Sequence, residues 1–486
     1  MWLFCSPEDG LLFAFDDGSP YTTVDALPPS TQVHDRMSPL ALSALVVGAV
    51  AFLLFLILYV RVHAFVALLV TSLGVAVVGG IPPAEIIDVI IDGMGGTLGY
   101  IAVIIGIGAM IGEVLRQTGG AEQIASTLLR ASGDEKAPWA LSATGLIVAI
   151  PVFFDVALIL FIPLVYSLVE RTDKTLLYYA IPLVAGIAVA HSFIPPTPGP
   201  VAVAGLIEAD LGWVILFGLI AGVPAVIVGG VFFGRYIDAR IPLGVPEQMD
   251  IETVADPEAA GRRTPPFAQA IGIIAFPLAL ILLGTVSDVI WGEEHVIGMW
   301  MTFIGHPITA LSVAVLLTFY LLGVRCGYPM KDVQRMATKS LEPVGLIILV
   351  TGAGGVLGNV LVETGVGEVL AEAMAASNLP IVLLAFGIAV VVRVSVGSAT
   401  VSMVTAASFM APVVAAGAHS APLLGMITIA IASGATVLSH VNDSGFWLVS
   451  RYLGMDEAQT LKSWTVMETI VGGVGLLVVL VLSLFF

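Results

Sequence analysis

The chain has 486 residues, of which 58% are hydrophobic and 11% charged. A soluble globular chain carries about 25% charged residues, so too few remain here to clothe a water-facing surface of this size. With 18 basic and 36 acidic residues and a formal net charge of −18, a soluble enzyme, a disordered regulator and a nucleic-acid binder, which needs basic patches, are excluded. The composition is that of an all-α polytopic membrane protein embedded in a lipid bilayer.

In chain order, residues 1–36 are polar, hold Pro28–Pro29 and lack the basic start and apolar core of a signal peptide. They read as a tail, or as untranslated sequence ahead of a start at Met37. Stretches free of Asp, Glu, Lys and Arg then cover 37–60, 62–84, 93–112, 137–154, 175–207 and 211–234. A polar interruption at 238–266 separates this first transmembrane half, 37–237, from a second, 267–486. The second half supplies apolar runs at 264–287, 296–324, 343–362, 373–392, 394–442 and 469–486. Since a span needs about 20 apolar residues, these make roughly 11 to 14 crossings.

Arg235, Arg240, Arg262 and Arg263 flank the central interruption, and Arg325, Lys331, Arg335 and Lys339 follow two spans later. The intervening connection holds Glu293 and Glu294 and no basic residue. The positive-inside rule therefore assigns loops 235–266 and 325–339 to the cytoplasmic face of the cell membrane.

The halves resemble one another. The segment beginning at Gly108 matches that beginning at Gly354 at an offset of 246, with eight of eighteen positions identical, Gly112/Gly358 and Glu122/Glu368 among them. At an offset of 249, Pro163 meets Pro412 and His191 meets His440. Duplicated halves with helices broken at matching positions are the usual plan of secondary transporters, with the binding site between them near the midplane.

Two breaks stand out. His191–Pro200 has four prolines in six positions, which cannot continue a helix; it is either a wet break at membrane depth or a surface loop. Ser439–Phe446 gathers His440, Asn442, Asp443 and Ser444 after a long uncharged run. An acid beside a histidine offers a proton-binding pair, although Asp443 could equally cap the helix that follows. Asp155 stands alone between uncharged runs, where a charge at a helix centre costs on the order of 3 kcal/mol. It reads as a functional acid or as half of an interhelical ion pair. Arg393 precedes Ser398 and Thr400, a setting suited to a carboxylate, or to an arginine reaching for the interface.

Cofactor chemistry finds no support. There is no P-loop and no H-E-x-x-H motif, and Cys5 and Cys326 are too few for a disulfide framework or a four-ligand metal site. Ser433-Gly434 ahead of His440 leaves an intramembrane protease as a remote alternative, and a passive channel is another.

Taken together, Gly93–Gly99, Pro151–Val156, His191–Pro200, Gly397–Val401, Ser439–Asp443 with Gly445–Trp447, and Lys462–Thr469 resemble the gluconate permease family, proton-coupled gluconate symporters of the ion transporter superfamily. The resemblance runs from about Met37 to the C-terminus. It implies two inverted repeats, each with a re-entrant hairpin and an interrupted helix. Asp155 departs from the glutamate common at that position, and Ser444 from a frequent proline. The expectation is a symporter, not an enzyme, that imports gluconate or a related sugar-acid anion with protons. Arg393, Ser398, Thr400, His191, His440 and Asn442 would bind substrate, and Asp155 and Asp443 would carry protons. Sodium coupling, another hydroxycarboxylate and a homo-oligomeric state stay open.

Overall fold

A computed structural model describes residues 38–246, 261–292, 295–367, 369 and 379–486. The polar stretch 1–36, most of the acidic interruption, Glu293, Glu294 and Glu368 lie outside the described residues. Within them every regular element is helical.

The chain opens with α1 (Pro39–Leu58) and α2 (Ala64–Val78), then builds the first half. This comprises α3 (Ile86–Gln117), α4 (Gly120–Ser132), α5 (Ala137–Val148), α6 (Phe154–Arg171), α7 (Leu176–Phe193), α8 (Pro198–Leu206) and α9 (Leu211–Asp238). After the polar interruption the second half opens with four helices, α10 (Phe267–Trp291), α11 (Val296–Gly305), α12 (Pro307–Cys326) and α13 (Met330–Lys339). It continues with α14 (Leu341–Glu363), α15 (Ile381–Val396), α16 (Ala399–Ala415), α17 (Ala421–Thr436), α18 (Ser444–Leu453) and α19 (Glu457–Leu482).

Eight described helical stretches are long and apolar enough to cross a membrane, and six shorter apolar helices of 10–17 residues accompany them. At 1.5 Å per residue, the twelve residues of α5 reach only about 18 Å, against a hydrocarbon core of about 30 Å. Helices this short must turn inside the protein, so hydropathy alone counts half-spans as spans. The pattern of breaks repeats: α5 is separated from α6 at 149–153 and α15 from α16 at 397–398, and α7–α8 and α17–α18 are interrupted at 194–197 and 437–443. Pro163 lies inside α6 and Pro412 inside the corresponding α16.

The first interruption is shorter than its prolines suggest. His191, Ser192 and Phe193 still belong to α7, and α8 restarts at Pro198. Proline at the first helical position loses no hydrogen bond, because that N–H has no partner inside a helix.

Packing explains why such short helices hold. Nearly every residue of α7 is buried, as suits a helix apolar all round. Its Gly186 lies against the backbone of α5 at Ser142 and Gly145, and in the second half Gly434 of α17 lies against Phe386 of α15. Small residues at these crossings let backbones approach without water-driven packing. Between the halves, α3 and α14 run antiparallel. Gly93 abuts Asn359 and Thr97 abuts Gly355, while Glu113 and Arg116 at the far end of α3 share a cleft with Lys339 and Glu342. The two basic loops touch on one face, where Arg262 binds Asp332 at 3.1 Å and Arg335 binds it at 2.6 Å.

Because a Cβ at Gly186 would meet main-chain atoms of α5, Gly186→Ala should destabilise the protein by about 1–3 kcal/mol through overpacking. Gly473→Ala, with open space at its Cβ, should not lower stability. Thermal unfolding of the two variants in detergent checks both.

Candidate functional site

The breaks between α5 and α6 and between α15 and α16, the end of α7 and the second helix interruption converge on one cavity of about 340 Å³. Phe153, Phe154 and Asp155 come from the break between α5 and α6 and the start of α6, and Ser398, Ala399 and Thr400 from the tip of the α15–α16 hairpin. Ala188, His191 and Ser192 come from the end of α7, Asp443, Ser444 and Gly445 from the second interruption, and Trp464 and Glu468 from α19. Arg393, in the last turn of α15, completes the wall. The volume lies within the range of small-molecule sites.

Arg393 is 1% exposed, so it does not snorkel to an interface. Its Nη2 donates to Asp443 Oδ2 at 2.6 Å, Ser439 Oγ donates to the same oxygen at 2.5 Å, and the Gly445 N–H donates to Oδ1 at 3.0 Å. Asp443 is thus both the N-cap of α18 and the partner of a buried guanidinium. Behind them Trp464 Nε1 donates to Ser439 Oγ at 2.7 Å, and Thr465 Oγ1 donates to the Ser439 carbonyl. Trp464 sits in a π-helical turn, Leu461–Thr465, the kind of local unwinding often found at functional sites.

The hairpin tip needs glycine. Gly397 has φ +88°, and a Cβ there would strike the Asn442 carbonyl. The next residue, Ser398, caps α16, its Oγ accepting from the Val401 N–H at 3.4 Å. With Ser398 and Thr400 at its start, α16 aims a helix N-terminus, favourable to anions, at the cavity. Arg393 Nε and Nη1, His191 Nδ1 and Glu468 Oε1 are buried without a hydrogen-bond partner among the described residues. All belong to side chains that line the cavity, and native interiors seldom leave such groups unsatisfied. Polar groups left free in this way are what a polar ligand entering the cavity would satisfy.

Of the residues singled out in the sequence, Arg393, Ser398, Thr400, His191, Asp155 and Asp443 are brought together. Asp155 lies in the first turn of α6 and is exposed, so it sits at a helix start facing open space rather than at an apolar helix centre. His440 and Asn442 do not line the cavity. His440 Nε2 lies 3.0 Å from the Val394 carbonyl, and Asn442 Nδ2 donates to the Val394 and Ser395 carbonyls at 2.9 and 3.2 Å. They tie the opened end of α15 to the second interruption. Ser433 Oγ has no hydrogen-bond partner among the described residues and His440 is engaged elsewhere, so no serine–histidine pair supports proteolysis.

Sequence reasoning does not single out Glu468, because the apolar run 469–486 of the last helix begins one residue beyond it. The signal was available, since no other acidic or basic residue occurs between Lys462 and the C-terminus.

A family model described as GntP family permease matches residues 40–485. The chain belongs to this permease family. It is therefore a multi-pass membrane transporter and not an enzyme. The low-affinity gluconate transporter of Escherichia coli K12 is 40% identical over 442 residues, covering 91% of this chain and 98% of that protein. The gluconate permease of Bacillus subtilis is 34% identical, covering 89% and 97%, and the Escherichia coli L-idonate transporter of the Gnt-II system is 34% identical, covering 90% and 98%. The fold is also that of the YdaH transporter of Alcanivorax borkumensis, with a TM-score of 0.59 at 13% identity over 87% of this chain and 98% of that one.

Asp443→Ala should destabilise this permease by about 3–5 kcal/mol, because it strands the Arg393 charge in the interior. A double-mutant cycle with Arg393→Met, read by thermal unfolding, should return a coupling energy of about 0.5–3 kcal/mol.

Proposed function

We propose that the protein imports gluconate, or a closely related sugar acid, in symport with protons. The observation that carries this reading is the charge content of the cavity: one buried guanidinium with free N–H groups faces three carboxylates, Asp155, Asp443 and Glu468. With every acid ionised, the site is net negative and repels an anionic substrate. A proton taken up by one of these acids lessens that repulsion and favours a sugar-acid carboxylate at Arg393, which is coupling in physical terms.

Arg393, Ser398, Thr400 and the start of α16 hold the carboxylate. His191 and Ser192 face the polyol chain, which needs many polar partners, and Asp155 and Asp443 contribute to the charge balance. His440 and Asn442 act from behind by fixing the end of α15. The relatives named for gluconate and for L-idonate support a sugar-acid cargo. The two touching basic loops support a cytoplasmic placement of that face.

The halves are taken to be inverted repeats. At the 246-residue offset, the contact of Gly93 with Asn359 maps onto the neighbourhood of Lys339 and Glu113, and that of Thr97 with Gly355 onto Pro343 and Ala109. Such an exchange of partners is what a two-fold relation requires.

The test is uptake of labelled gluconate into proteoliposomes without sodium, with and without an uncoupler. Accumulation that collapses with the uncoupler is expected; accumulation that needs sodium, or equilibration without accumulation, overturns proton symport. Arg393→Lys, which keeps the charge but loses the planar fork, should raise the KM for gluconate about tenfold or more, the range of a lost charged hydrogen bond. For one proton per substrate, affinity should be flat at low pH and fall about tenfold per pH unit above the titration point of the coupling acid.

A further inference from the structure

Resting on the symport reading, we infer that Glu468 is the side chain that takes the coupled proton. Three acids reach the cavity, and their surroundings divide the work. Asp443 is saturated: its oxygens accept from Arg393, Ser439 and the Gly445 N–H, so a proton there must break an ion pair that also caps α18. Asp155 is exposed at the start of α6, where a helix N-terminus favours a negative charge and the carboxylate is not sealed in the interior. Glu468 is 4% exposed, and its Oε1 has no hydrogen-bond partner.

A carboxylate buried without partners carries a large cost as an anion and a small one as an acid. Protonation relieves that cost and leaves every contact of the Arg393–Asp443 pair intact. The remaining charged groups around Glu468 are consistent with this role. Arg393 approaches from α15 and Asp443 from the second interruption, while His191 and Asp155 lie across the cavity. The packed faces of α17 and the apolar part of α9, Leu211–Ala225, bring no acid or base.

With Glu468 ionised, its negative charge competes with substrate for Arg393. Once a proton from the aqueous side converts it to the neutral acid, that competition ends and the incoming carboxylate accepts from Arg393 Nε and Nη1, the groups left unpartnered. Substrate and proton then bind as a neutral pair, and Glu468 gives the proton back when the substrate leaves. Proton and substrate thus meet at the same guanidinium, which couples them without a long-range relay.

The test is calorimetric titration of purified protein with gluconate in two sodium-free buffers of different ionisation enthalpy, which reads protons taken up per gluconate bound. Wild type should take up about one proton per gluconate and Glu468→Gln about none, whatever its affinity, so the slope of log Kd against pH falls from about one to about zero. Glu468→Asp, which keeps the acid one methylene further back, should keep the uptake with its pH midpoint displaced. Undiminished proton uptake in Glu468→Gln overturns the assignment to Glu468 and leaves symport standing. Wild type that binds gluconate without a proton, or does not bind it, overturns the symport reading itself and the role of Glu468 with it. Should Glu468→Gln fail to fold or to bind, Glu468→Asp decides: a pH profile superimposable on wild type overturns the inference.

Discussion

The contact between Arg393 and Asp443 is the constraint on which the site depends. Burying a guanidinium costs several kcal/mol, and only a well-made ion pair with further hydrogen bonds offsets it. Here the carboxylate gathers a hydroxyl and a backbone N–H besides the arginine. The pair joins the end of α15 to the start of α18, fifty residues later in the chain. Through Ser439 and Trp464 the same network reaches α19. Three elements that could slide past one another in an apolar medium are thereby held in one register.

That register is what makes broken helices useful. Each interruption leaves helix ends with unpaired backbone groups, tolerable at membrane depth only where protein or a wet cavity satisfies them. Ser398 and Asp443 cap two of the restarted helices, and His440 and Asn442 cover the carbonyls of the opened α15. Gly397 lets the hairpin tip sit directly on Asn442. The cavity is therefore bordered by helix ends whose polar groups are partly committed to one another and partly free for a ligand.

The same economy appears in the charges. A single arginine serves a structural partner on one side and keeps unpartnered N–H groups on the other. The three acids occupy three environments: saturated with donors, exposed at a helix start, and buried without a partner. Carboxyl groups of nearly equal intrinsic acidity thereby meet different surroundings, and it is surroundings that set how readily such a group takes a proton.

Much of this was legible in the sequence. Composition dictated a membrane protein, because too few charges exist for a wet surface. Arg393, Asp155 and Asp443 were visible as charges standing in apolar runs, and glycine and proline clusters marked where helices break. The repeat was readable because two halves built alike must keep the same breaks in the same order. Hydropathy could not separate half-spans from spans, since a twelve-residue helix ending in protein and one ending in water look the same in one dimension. Nor could it tell that His440 and Asn442 turn towards backbone carbonyls, or that Glu468 enters the cavity with Arg393. Those facts depend on how α15, α18 and α19 meet, and burial and pairing are properties of that meeting. The sequence by itself determined which charges had to be accommodated inside the membrane; the tertiary structure alone decided which are paired, which are solvated and which stand free, because each outcome depends on neighbours brought from distant parts of the chain.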